Sequence, residues 1–342
     1  MDRRSLLTLA AAGAVAGVTR PAAASGRRRD RLVVAADGTG DHTGVQGAVD
    51  AVPAGGLVDI RPGTYRGQVI VPADKPDLLL RGLGAAPADV VIVDDRANGT
   101  PRPGGGTWGT SGSASVTVDG PGFQARNLTF ANDFDEAAHP EITGRQAVAV
   151  LTRADRVAFE AVRFLGNQDT LYLNSPAADV RARVSLRGCH VEGDVDFIFG
   201  RATAVLERCR IHSLSRGSTT NNGYVTAPST DLGNPYGFLF AACAFTSDAP
   251  PAGVLLGRPW HPSQDPDAVG QCVVRNSLLG AHIGPAPWSD FGTWPWRDAR
   301  FAEYRNCGPG ATVTPDRPQL TPEQAATFTP AAYLAGWSPR SR

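Results

Sequence analysis

Short apolar runs recur along the chain from Leu32 to about Ile283, separated by glycine, proline and small polar residues, with no long helical period between them. One eight-residue pattern repeats at residues 123–130, 157–164, 184–191, 204–211, 238–245 and 271–278. Alternation within it puts Leu128 and Phe130 on one face, and likewise Val162 and Phe164. From Phe130 through Phe164, Val191, Ile211 and Phe245 to Leu278, the steps are 34, 27, 20, 34 and 33 residues. Similar strands at irregular spacing suit a parallel β-helix, in which each turn absorbs length differences in its loops. A sandwich would need hairpin signals such as Asn-Gly between adjacent strands, and these are sparse, Asn222-Gly223 being an exception. The pattern predicts an all-β solenoid over residues 32–315. A short helical tail follows over 316–342, where Thr321 is a capping residue, Pro322 the first helical position and Gln324 the third. Tyr333 and Trp337 are expected to pack this tail on the solenoid.

Composition narrows the function classes. The 342 residues would allow two domains by length, but a solenoid grows in one direction and needs no second core. Lys+Arg and Asp+Glu both number 33, so no charge excess argues for a nucleic-acid or membrane partner. At the N-terminus Arg3 and Arg4 precede an apolar run over 6–18 and the small residues Ala22-Ala23-Ala24. This predicts a cleaved signal peptide over 1–24, with twin arginines, and a mature arm over 25–31. The protein is then expected to be secreted or periplasmic, to act as a monomer, and to carry no membrane anchor after cleavage. Export permits disulfides. There are five cysteines, and Cys189, Cys209 and Cys243 share the sixth position of the repeat. Equal positions in a parallel stack lie about 4.8 Å apart, within bridging range. Either neighbouring pair could bridge, or all three could be small buried hydrophobes.

The chemistry centres on two carboxylates. Asp169 lies five residues after Phe164, and Asp196 five after Val191, so the repeat puts them at equivalent places on successive turns. Two carboxylates at that spacing would repel if both were ionised, which divides them into one neutral acid and one anion. Asp135 is also five after Phe130, so position alone does not single out the pair. The neighbours do. Gln168 abuts Asp169, and Gln146 lies on the same turn at the start of its preceding strand. Their amide N–H groups can stabilise an oxyanion without titrating. Arg258, in Leu256-Gly257-Arg258-Pro259-Trp260, can hold a carboxylate ionised, and Trp260 offers a flat surface to a sugar ring. The chain has no G-x-S-x-G elbow, no H-E-x-x-H helix and no phosphate loop, and its six histidines are scattered.

These segments together resemble the pectin methylesterase family. The resemblance rests on Gly63-Thr64-Tyr65, Gln146-Ala147-Val148-Ala149-Val150, Gly166-Asn167-Gln168-Asp169-Thr170-Leu171-Tyr172, Asp196-Phe197-Ile198-Phe199-Gly200 and Leu256-Gly257-Arg258-Pro259-Trp260, in the family's order. It spans about Leu32 to Trp337 and is nearest to bacterial members. It implies a right-handed parallel β-helix that hydrolyses the C6 methyl esters of pectin (homogalacturonan) with no metal or cofactor. By motif, Asp196 would be the nucleophile, Asp169 the general acid and then base, and Gln146 and Gln168 the oxyanion hole. Arg258 would hold Asp196. Tyr172, Phe199, Tyr224 and Trp260 would form the aromatic wall of the cleft. The resemblance also implies a Cys189–Cys209 disulfide. The chain departs from the family at Gly67, where a glutamate is usual, and at Leu255, where an aromatic is common. A calcium-dependent lyase on the same fold would need about six to eight oxygen ligands, and a non-catalytic binding solenoid would not need the Gln–Asp–Arg set.

Overall fold

The computed structural model describes residues 30–339, so the segment expected to be a signal peptide lies outside the described residues. The described chain winds into a right-handed parallel β-helix whose three sheets hold ten, seven and eight strands. The repeat pattern turns out to be a bent unit. Its first half pairs in the ten-stranded sheet, as in Val157–Glu160, Arg183–Arg187 and Thr203–Glu207. Its second half pairs in the eight-stranded sheet, as in Arg163–Leu165, His190–Gly193 and Arg210–Ser213. The corner between them is one left-handed residue on each turn. Asn127, Ala161, Gly188, Arg208, Ala242 and Asn276 stand there with φ between 50 and 59°. Such a conformation costs an ordinary L-residue about 1–2 kcal/mol. The parallel pairing on both sides holds it in place.

Apolar positions of the unit fill the interior. Phe123, Phe130, Phe159 and Phe164 are fully buried, and Phe159 meets the other three edge to face, its centroid 5.0 Å from that of Phe164. Each such ring contributes about 1.5–3 kcal/mol through burial. The helix Val45–Ala51, which the strand pattern does not predict, packs Val45, Ala48 and Val49 onto the first strands. These positions follow the i, i+3, i+4 spacing of an amphipathic helix. The tail forms two short helices, Pro322–Ala325 and Pro330–Tyr333. Thr321 and Gln324 make the expected reciprocal cap. Tyr333 is buried on the outer face of the ten-stranded sheet against Val205 and Leu239.

Two expectations need correction. The last repeat is displaced by one residue: Cys272 pairs with Phe238, and Leu279, not Leu278, pairs with Phe245. Leu279 is buried and Leu278 is 48% exposed, so two adjacent leucines concealed the register. The Cys189–Cys209 bridge is not formed; all five cysteines are free thiols. Cys189, Cys209 and Cys243 do share one inward-facing column, but as thiols. Each S–H reaches a carbonyl of the preceding turn, those of Phe159, Leu186 and Leu206 respectively.

The corner column gives a direct test. A methyl group added at Gly188 would meet nothing within 4 Å, so Gly188→Ala changes only the backbone preference. It should cost about 1 kcal/mol, and Ala242→Gly should recover a similar amount. Chemical denaturation of the two variants measures both.

Candidate active site

The loops leaving the eight-stranded sheet lead into strands Leu171–Leu173 and Val195–Gly200, which pair Leu171 with Ile198 and Tyr172 with Phe199. That register puts Asp169 and Asp196 at the same place on neighbouring turns. Both are left-handed, with φ of 70° and 50°. At Asp196 the pairing with strand Tyr224–Pro228 shifts between Val195 and Ile198, forming a bulge. The bulge lets consecutive Phe197 and Ile198 both enter the core while Asp196 turns out toward a pocket. Asp135 has no such place; it lies in an exposed loop and accepts the N–H groups of Ala137 and Ala138.

The two carboxylates are treated unequally. Arg258 Nε donates to Asp196 Oδ1 at 2.9 Å and Nη2 to Oδ2 at 2.6 Å, a bidentate pair. The guanidinium is flanked by the rings of Tyr224 at 3.9 Å and Phe291 at 4.4 Å. Asp169 is buried and has no side-chain hydrogen bond among the described residues. Burial, and then the charge of Asp196, push Asp169 well above the ordinary carboxylate value. Burial also raises Asp196, but the Arg258 bonds and charge pull against it. Of the two, Asp169 therefore holds a proton more readily and Asp196 is the more readily ionised.

Gln146, Gln168, Asp169, Tyr172, Asp196, Phe199, Arg258 and Trp260 line one pocket of about 280 Å³. Gln146 stands in extended chain ahead of strand Val150–Thr152. The Ala147 N–H donates to the Gln168 carbonyl, so the two glutamines stand on adjacent turns and not on the same turn as the sequence suggests, because each precedes its own strand of the seven-stranded sheet. Tyr172 stacks on Phe199 with centroids 4.1 Å apart, and Trp260 meets both edge-on at 6.0 and 5.5 Å. Tyr224 does not line this pocket; its ring lies against Arg258. Thr110, Ser111, Ala227 and Phe291 also line the pocket. Sequence patterning does not single out these four, because they come from a short helix, a strand and a distant loop without a shared motif. A larger cavity, about 360 Å³, lies between the tail and the ten-stranded sheet. Its Arg126, Glu160, Arg187 and Glu207 form a cross-strand ladder of alternating charge, with no unequal carboxylate pair.

Among the described residues, no group of three or more His, Cys, Asp or Glu side chains is placed to hold a metal ion. No described helix is long and apolar enough to cross a membrane.

Comparison with known proteins converges on one family. The pectinesterase family profile matches residues 31–337. A pectinesterase of Ralstonia nicotianae is 36% identical over 320 residues, covering 83% of this chain and 80% of the relative. Pectinesterase A of Dickeya chrysanthemi is 35% identical over 328 residues, covering 85% and 86%. A crystal structure of a pectin methylesterase in complex with a hexasaccharide superposes with a TM-score of 0.82 at 32% identity, covering 91% of this chain and 98% of the other. The pectin methylesterase of Erwinia chrysanthemi gives 0.80 at 32% identity, covering 90% and 98%. A profile match over nearly the whole described chain, relatives of this identity and a shared architecture show that the chain belongs to the pectinesterase family, the carboxylic ester hydrolases of pectin.

Proposed function

We propose that the chain demethylates homogalacturonan through a covalent aspartyl intermediate. The observation that carries this reading is the asymmetry of the buried pair: Arg258 grips Asp196 with two bonds, whereas Asp169 is buried without such a partner. An Asp196 oxygen attacks the C6 ester carbon. The carbonyl oxygen becomes an oxyanion and accepts hydrogen bonds from the Gln146 and Gln168 amides. One good donor at such a site contributes about 3–4 kcal/mol. As the tetrahedral species collapses, Asp169 gives its proton to the departing methoxy oxygen, and methanol leaves. Asp169, now ionised, takes a proton from water. The hydroxide equivalent adds to the acyl carbon, and the bond to Asp196 breaks. Asp196 returns as carboxylate and Asp169 as acid, while the product uronic acid loses its own proton to solvent. Tyr172, Phe199 and Trp260 supply the apolar surface for the sugar rings.

The solenoid over 32–315 is read as the catalytic unit and the residues from 316 as its tail, acting as a monomer. The twin arginines and small-residue site near the N-terminus support export, so the enzyme would meet its polymer outside the cytoplasm.

Methanol release from highly methylated pectin is the primary assay. The protein should release methanol equally with and without chelator. An unsaturated, ultraviolet-absorbing uronide as the product would instead mean a lyase. Asp196→Asn should abolish release while polymer binding persists, and near-parental turnover in that variant would end the covalent assignment.

Arg258→Lys separates charge from aim. Lysine keeps the charge but loses the planar fork. Turnover should fall about 10- to 100-fold, with a smaller change in KM. Unchanged turnover with much weaker binding would place Arg258 against the polymer instead.

The raised value of Asp169 also affects stability. Above the ordinary carboxylate value of about 3.9, the unfolded chain has released this proton while the folded chain retains it. Stability therefore falls as pH rises from there through Asp169's own raised value. Asp169→Asn should eliminate turnover yet raise the melting temperature by a few degrees at neutral pH. That gain should vanish in acid below about pH 3.9. Melting curves across pH would check it; a constant difference would show that burial of the charge is not the cause.

A further inference from the structure

We infer that Asn98 is a positioning residue that decides which end of the Gln146 amide faces the pocket; the inference rests on the reading of Gln146 as an oxyanion donor. Asn98, Gln146 and Gln168 stand on successive turns. The Asn98 N–H donates to the Gln146 carbonyl at 2.8 Å, and the Ala147 N–H to the Gln168 carbonyl at 3.1 Å. The segment around Asn98 is held further: its carbonyl accepts the Gly109 N–H at 2.9 Å, and the Gly99 N–H donates to Gly144 at 2.7 Å.

The side chains repeat this connection. Asn98 Nδ2 donates to Gln146 Oε1 at 3.1 Å and to Thr110 Oγ1 at 3.1 Å. A primary amide has an acceptor end and a donor end. Since Asn98 occupies the acceptor end of Gln146, the Nε2 donors are the end left for the pocket that Gln146 and Thr110 both line. Nε2 makes no hydrogen bond among the described residues. Turned the other way, Gln146 would present oxygen to an oxygen that is gaining negative charge, and a donor would become a source of repulsion. Asn98 itself does not line the pocket. It acts through Gln146, and through Thr110 it ties the short helix Gly109–Gly112 to the same point.

Asn98→Asp is the informative variant, because it keeps the size of the side chain and replaces its donor by an acceptor. Gln146 would turn its N–H groups toward the new carboxylate and its oxygen toward the pocket. The expected result on methylated pectin is a fall in kcat of about 10- to 100-fold, with KM within about threefold of the parent. Asn98→Ala frees Gln146 without reversing it and should lose less. Both substitutions are then repeated in a Gln146→Ala background, where neither should lower kcat further. An equal loss in both backgrounds would overturn the inference, because Asn98 would then act through charge or through the fold. A Gln146→Ala enzyme with full turnover would remove the oxyanion reading itself, and this inference with it, so the two failures are distinct. If Asn98→Asp does not fold, Asn98→Ala carries the same cycle.

Discussion

In a stack of parallel strands, whatever stands at one position on a turn meets its counterpart on the next turn about 4.8 Å away. This constraint governs the whole molecule. Inside, it builds the buried phenylalanine cluster and the three-thiol column. On the outer face of the ten-stranded sheet, Arg126, Glu160, Arg187 and Glu207 alternate in sign, because like charges directly opposite would repel. Asp169 and Asp196 are the exception. Two acids occupy equivalent places on neighbouring turns, and the fold does not separate them. It differentiates them with a guanidinium from a further turn, which bonds Asp196 and not Asp169. The reactivity proposed for the site and its cost in stability share this origin.

Backbone strain is placed accordingly. Both aspartates are left-handed, and Asp196 sits on a bulge. Each would be unfavourable in an isolated segment. Here the flanking strands are paired on both sides, and Phe197 and Ile198 anchor the bulge in the core. Gly200, at the end of the same strand, has φ of 114°, and a side chain there would run into the Leu173 carbonyl. The geometry around Asp196 is thus held by rigid elements, which suits the nucleophilic role proposed for it.

Much of this was legible in the amino-acid order. The repeat predicted a parallel solenoid, and the offset of each aspartate from its strand placed Asp169 beside Asp196. The cap at Thr321 was written in Thr-Pro-Glu-Gln. The limits were also physical. The register of the last turn was hidden because Leu278 and Leu279 are adjacent and chemically alike. The earliest turns escaped the repeat because residues 83–89, with the short helix Pro87–Asp89, separate strands that are otherwise one bend apart. Spacing shows that the thiols share a column, but not whether neighbours in it are bridged. The ring contact between Tyr224 and Arg258 is likewise not legible in the sequence, because the two residues lie on different turns and share no motif. Phe291 and Thr110 reach the pocket by tertiary folding alone.

The tail gives the molecule a property that the coils alone lack. A solenoid whose turns touch only their neighbours can fray from an end, one rung at a time. Here Arg181 and Arg183 donate to the carbonyls of Tyr333 and Leu334, while Arg275 donates to those of Ala325 and Phe328. Gln271 and the Tyr333 hydroxyl are also hydrogen-bonded to each other. The tail is therefore a strap across several rungs, and opening the last one requires releasing them together. The turns that present Asp196 and Arg258 lie within its span, so the end of the chain converts local breathing near the proposed catalytic pocket into a rarer, concerted event.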